Sequence, residues 1–153
     1  MDTIDREKAA RVWQRVQGNA PNPSPQEVQG LPELIAEEWQ DATTYLNLSR
    51  MLTGRASMLL RKMYEEEQAH TACLKGIYTL ITGNRPTVRA VPLPTEDVLT
   101  TLRRCYGREM RCLAGYEARS NHPEYGPVFA RLAEQEREHC HKVLELLGNL
   151  NNK

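Results

Sequence analysis

Four times along this chain, apolar residues recur at steps of three and four or their sums, the spacing of a helix with one buried face. The first run is Leu31, Ile35, Ala42, Tyr45, Leu48 and Leu52, and the second is Leu60, Met63, Leu74, Ile77 and Ile81. The third is Leu99, Leu102, Tyr106, Leu113 and Tyr116, and the fourth is Phe129, Leu132, Val143 and Leu146. Punctuation bounds each helix. Pro32 suits a first turn, Gly83-Asn84 a stop, Thr95 followed by Glu96 and Asp97 a start, and Gly148 a second stop. The predicted spans are 31 to 51 or 52, 56 to 82, 95 to about 121, and 126 to 147. No segment shows the period of two expected of a strand. The links within the first and second pairs are short, whereas the middle link contains the proline-bearing stretch NRPTVRAVPLP. An all-α four-helix bundle with one long crossover between its second and third helices follows. Ahead of it, residues 3 to about 17 predict a short amphipathic helix with Val12, Trp13 and Val16 on one side. GNAPNPSPQEVQG then reads as a linker. The expected organisation is an N-terminal segment and linker over 1–29 and the bundle over 30–150.

Each buried stripe is interrupted at mid-length by acid. Glu38 breaks the first and Glu109 the third; Glu67 with His70 breaks the second, and Glu136 with His139 the fourth. Carboxylates converging in a bundle core repel one another and lose hydration, and an isolated buried charge costs several kcal/mol or more. Four Glu carry four negative charges and two neutral His add none, so two divalent cations balance the sum. Glu and His three apart lie on one helix face about 4.5 Å apart along the axis. One Glu from each of two helices plus Glu-x-x-His from each of the other two is a donor set for a pair of metal ions in a bundle. The pattern repeats. Glu67-x-x-His70 recurs as Glu136-x-x-His139, and Glu38 and Glu109 each precede a tyrosine, Tyr45 and Tyr116, by seven. Two helical hairpins related by a pseudo-twofold are expected.

Charge and composition narrow the classes. With 20 basic and 20 acidic residues the formal net charge is zero, so no strong field would draw nucleic acid or an anionic membrane. No run approaches the 18 apolar residues of a membrane span, and the acidic N-terminus lacks a signal-peptide core, so a cytoplasmic protein is expected. The four cysteines, Cys73, Cys105, Cys112 and Cys140, form no C-x-x-C pair, which disfavours a thiolate metal site and suits free thiols.

The segments EEWQDATTY, EEEQAH, REMRCLAGY and EQEREH, in this order and at these offsets, resemble the rubrerythrin family of ferritin-like proteins over residues 31 to 147. The resemblance implies a ferritin-like bundle holding a non-haem di-iron centre that reduces hydrogen peroxide or oxygen and is re-reduced by an external electron donor protein. It also implies Glu38, Glu67, His70, Glu109, Glu136 and His139 as ligands. Family members commonly append a rubredoxin domain, for which no cysteine pattern is present here. They also carry a further carboxylate where this chain has Cys112.

Other residues have two readings each. Tyr45 and Tyr116 stand two turns from a ligand on its face, as hydrogen-bond partners of ligand carboxylates or as core aromatics. Cys112 is either a thiol beside the metals or a small buried hydrophobe, and Cys105 shares its face; the plainer core reading is preferred for both. Tyr64 and Tyr106, three residues before ligand glutamates, either line the site or pack. Glu37, Glu65, Glu66, Glu134 and Glu138 are expected in solvent, with Glu37 the one replacement for Glu38 if the register slips by one. Cys73 and Cys140 fall off the stripe, and His122 and His141 are expected to face water. The expected function is a di-iron peroxidase or oxidoreductase. Ferritin-type ferroxidase or iron handling, and a non-enzymatic metal-binding bundle, are the alternatives. Manganese can replace iron in such donors, and a homodimer is the expected assembly.

Overall fold

The computed structural model describes residues 3–18, 28–89, 92–93 and 95–152. Five helices occupy them: α1 (Thr3–Val16), α2 (Leu31–Met51), α3 (Gly54–Thr82), α4 (Val98–Glu117) and α5 (Gly126–Asn151). Most of the anticipated linker, residues 19–27, lies outside the described residues. Pro32 sits in the first turn of α2, where its missing N–H costs nothing. Gly83 ends α3 in a left-handed conformation, and its N–H returns to Thr79 O at 2.8 Å. α4 starts three residues later than Thr95 suggests. Asp97 is the cap, its carboxylate accepting from Thr100 N at 3.0 Å and from the Thr100 hydroxyl at 2.6 Å. α5 runs through Gly148 to Asn151, because Leu147 and Leu150 pack against the core and carry it one turn further.

α2 pairs with α3 and α4 with α5 as tight hairpins, and α2 also touches α4 as α3 touches α5. One apolar cluster gathers Leu31, Ile81, Tyr116 and Phe129, which come from the start of α2, the ends of α3 and α4, and the start of α5. The other gathers Leu48, Leu60, Leu102 and Leu146 from the opposite ends. α3 and α4 therefore run parallel, and the segment between them returns along the length of the bundle. This is the ferritin-like arrangement. Between the two apolar clusters lies the layer of Glu and His residues, sealed from water at both ends.

The buried face of α4 differs from the predicted stripe. It runs through Leu102, Cys105, Glu109, Cys112 and Tyr116, while Leu99, Tyr106 and Leu113 are only half-buried. At Gly115 a Cβ would meet the end of the Leu34 side chain at 2.9 Å, so α4 and α2 are in close contact at that bare position. α1 lies against its own bundle by charge rather than by its apolar residues. Arg15 donates to Leu80 O and pairs with Glu124 at 3.3 Å, while Trp13 and Val16 are each 63% exposed.

Phe129 is buried, stacks on Tyr116 at 6.3 Å between ring centroids, and plugs one end of the bundle. Phe129→Ala should lower unfolding free energy by about 3–5 kcal/mol. Leu144→Ala, at an exposed position of α5, should stay within about 0.5 kcal/mol. Urea unfolding midpoints at unchanged slope check both.

Candidate metal centre

Glu38, Glu67, His70, Glu109, Glu136 and His139 are all buried in the layer between the apolar clusters. His70 Nδ1 lies 2.8 Å from Glu136 Oε1, 3.2 Å from Glu67 Oε2 and 3.4 Å from Glu38 Oε2. His139 Nδ1 lies 2.5 Å from Glu67 Oε1, 3.5 Å from Glu109 Oε2 and 4.0 Å from Glu136 Oε1. Each imidazole thus meets the carboxylate of its own helix, that of its hairpin partner, and that of the opposite Glu-x-x-His. The two rings face each other with centroids 5.4 Å apart. The pseudo-twofold expected from the repeat is present in three dimensions. One donor atom from each of Glu67, His70, Glu136 and His139 can be chosen so that all lie within 4.8 Å of one another.

The surrounding groups obey the same symmetry. Tyr45 donates its hydroxyl to Glu109 Oε1, and Tyr116 donates to Glu38 Oε1, each across to the opposite hairpin. His139 Nε2 donates to Glu66 Oε2 at 2.8 Å, and His70 Nε2 to Gln135 Oε1 at 3.0 Å. Glu66 and Gln135 immediately precede Glu67 and Glu136, so the residue before each motif orients the histidine of the other. With Nε2–H committed outward, each Nδ1 is left to face the carboxylates. Glu66 was expected in solvent. It is half-buried because His139 and Lys142 (Nζ to Oε2 2.9 Å) draw it inward. The helix-face argument ranked it by its own helix and ignored what stood opposite. Glu37 is outside the site, paired with Arg111 at 3.1 Å, so the α2 register is as expected.

A second group, Asp41 with Arg108, was missed. Both are buried, and Arg108 Nε donates to Asp41 Oδ1 at 2.6 Å while its Nη2 reaches Cys105 Sγ at 3.3 Å. Asp41 follows Glu38 by three and so shares its face, a signal present in the sequence. Tyr64 and Tyr106 pack against the Leu60 end of the core. Cys105, Cys112 and Cys140 are buried; Cys140, predicted off the stripe, contacts Met110 sulfur at 3.7 Å. His141 is exposed. His122 is not in open solvent: it is half-buried, and its Nδ1 accepts from the backbone N–H groups of Glu124 and Tyr125 at 3.1 Å, tying down the turn before α5.

The electrostatics show what the cluster needs. Burial, reinforced by the neighbouring carboxylates, pushes Glu67 and Glu136 well above the ordinary range. Burial presses Glu38 upward too, but hydrogen bonds involving Glu67, His70 and Tyr116 prevail and hold it at about 2. Glu109 is likewise lowered against its burial by His139, Glu136 and Tyr45. For both histidines burial favours the neutral ring, yet contact with the carboxylates wins and raises them. His139 leads, ahead of Lys142, in lowering Glu66 to about 2. Protons can therefore neutralise the cluster: two shared by Glu67 and Glu136, and one added to each histidine. They do it poorly. Glu67 Oε1, Glu109 Oε2, both Glu136 oxygens and His139 Nδ1 are buried without a hydrogen bond among the described residues. Glu136 Oε1 and Glu67 Oε1 stand 2.8 and 2.5 Å from a ring nitrogen but without the alignment of an N–H···O bond. A set of four hard carboxylates and two imidazoles, with buried unsatisfied lone pairs turned toward one point, fits two divalent cations.

A groove of about 260 Å³ between α3 and α5 borders the layer and is lined by Glu66, Ala69, His70, Cys73, Arg131 and Gln135 among others.

No protein-family model and no curated relative matches the chain. Among solved structures it is similar to a ferritin-like, di-iron-carboxylate protein from Bacillus anthracis str. Ames, with a TM-score of 0.61 and 23% identity. The match spans 90% of this chain and 97% of that one. The fold is ferritin-like.

Two predictions come from this layer. The raised carboxyls and histidines hold protons that bound cations would displace. Metal uptake should thus release protons and weaken as pH falls, measurable by isothermal titration in buffers of different ionisation enthalpy. For metal-stripped protein the linkage has the opposite sense. Glu67, Glu136, His70 and His139 have folded pKa values above their ordinary 4.5 and 6.5, so the folded state holds more protons than the unfolded one. Its stability should fall as pH rises from about 6 to 9, as read by urea midpoints across pH. Separately, Asp41→Ala strands a buried guanidinium and should cost about 3–5 kcal/mol, while Asp41→Leu with Arg108→Met should regain most of it.

Proposed function

We propose that the chain is a di-iron oxidoreductase that reduces hydrogen peroxide or oxygen at the Glu/His layer, with electrons returned by an external donor protein. The observation that carries this reading is the convergence of four carboxylates and two imidazoles, one motif per helix, on a buried point where several of their lone pairs lack partners. The fold, shared with a protein described as di-iron-carboxylate, supports the same class. Bound iron would supply two one-electron ferrous–ferric couples, enough for the two electrons that convert peroxide into water. Glu38, Glu67, Glu109, Glu136, His70 and His139 would hold the pair.

The chain's own groups do the rest. Reduction of one peroxide to two waters consumes two protons. The Tyr116 and Tyr45 hydroxyls hold protons against Glu38 and Glu109, the two carboxylates kept most firmly ionised. Burial and the adjacent carboxylate charges raise both phenols, so they stay protonated and serve as hydrogen-bond donors. Glu66 and Gln135 fix the imidazoles. The groove lined by His70 borders the layer, while the apolar clusters close its two ends.

Anaerobic loading with ferrous iron followed by peroxide should oxidise about two irons per chain in a fast phase. Binding of two ferrous ions without oxidation by peroxide or oxygen would overturn the redox reading and leave a structural or sensory metal site.

A further inference from the structure

The pseudo-twofold is broken at one pair of positions, and the break falls at the metals. The symmetry carries Glu38 to Glu109 and Tyr45 to Tyr116, an offset of 71 in each case. The same offset carries Asp41 to Cys112. On one side, Asp41 is drawn off by Arg108 at 2.6 Å. On the other, Cys112 has no such partner among the described residues, because the twofold mate of Arg108 is Glu37, which turns outward to Arg111. The Cys112 thiol is buried, and its sulfur lies with one oxygen each of Glu38 and Glu136 in a group whose members are all within 4.8 Å of one another. Both Glu136 oxygens are buried without a hydrogen-bond partner. Three potential ligand atoms thus lie together in a second group, which shares Glu136 with the Glu67–His70–Glu136–His139 group.

We propose that Cys112 is a seventh protein ligand, binding through sulfur the metal ion held by Glu38 and Glu136, so that the two metal positions are chemically unlike. The inference rests on the metal-binding reading above. The step is ligand addition: the S–H bond breaks, a sulfur–metal bond forms, and one proton leaves. No electron is transferred. A cation shared with adjacent carboxylates deprotonates a coordinating thiol outright. A thiolate also draws its position toward thiophilic ions such as ferrous iron, cobalt and zinc and away from manganese and magnesium, which prefer an all-oxygen and nitrogen set. The other position, flanked by Asp41 that Arg108 neutralises, keeps oxygen and nitrogen donors alone.

Cobalt(II) added anaerobically to the metal-stripped full chain tests this. Two ions should bind, and a sulfur-to-cobalt charge-transfer band should appear in the near ultraviolet with the intensity of one such bond per two ions. The band should vanish in Cys112→Ser and persist in Cys73→Ser and Cys140→Ser. The ratio of cobalt to manganese affinity should fall about 10-fold in Cys112→Ser, the lower end of what loss of one supporting group costs a metal site. Two bound cobalt ions with no charge-transfer band would overturn the thiolate ligand and leave the metal-binding reading standing. A band that survives Cys112→Ser would overturn it equally. Failure to bind cobalt at all would sink the metal-binding reading and this inference with it.

Discussion

Four carboxyl groups within a few ångströms of one another, in a largely apolar seam, are the constraint that the rest of the molecule serves. Each ionised group would cost several kcal/mol in such surroundings without compensation. The cluster exists because positive charge, from protons or from metal ions, is available to hold it, and because both ends of the bundle are closed. Leu31, Ile81, Phe129 and Tyr116 close one end and Leu48, Leu60, Leu102 and Leu146 the other. Removal of water strengthens every interaction among the Glu and His side chains, and equally makes a half-neutralised cluster costly. The tyrosines answer part of that demand. Each places a hydroxyl on the carboxylate of the opposite hairpin, so that the two halves are joined through the site as well as through packing.

This layer was legible in the sequence because burial and helical period decide it together. A stripe at steps of three and four states which side chains share the dry face, and Glu38, Glu67, His70, Glu109, Glu136 and His139 stand on it; the structure brings all six together. Glu37, one position away, turns to Arg111 at the surface. The hairpin pairing and the long crossover followed from the placement of Gly and Pro. Helix ends were less legible: Asp97 outcompetes Thr95 as a cap, and two leucines carry α5 past Gly148.

What escaped the sequence are contacts made between helices by residues just off the stripe. Glu66 looks like one more charged position in EEEQ, and only the presence of His139 and Lys142 opposite makes it an orienting group. Asp41, three positions after Glu38, does share its face, but the ion pair with Arg108 joins two helices, and neither helix considered alone announces the partner. The α4 stripe departs more mildly: Cys105 and Cys112, read as small core residues, carry the seam itself, while Tyr106 and Leu113, placed on the stripe, sit at its margin.

The symmetry of the site is therefore kept at the centre and relaxed around it. The six Glu and His residues must match because charge balance involves all of them at once. Their supports need not. His139 leans on the ionised carboxylate of Glu66, which makes its ring the more basic donor; His70 leans on the neutral amide of Gln135. His70 is also the ring that borders the open groove. The half of the layer that includes Glu67, Glu109 and His139 is thus backed by Glu66 and Asp41. The half that includes Glu38, Glu136 and His70 is backed by an amide and a thiol. A pair of ions held in such surroundings would differ in the electron density of their donors. That difference is built from side chains one or three positions away from the six central residues, where a substitution changes the character of a donor without disturbing the charge balance on which the fold depends.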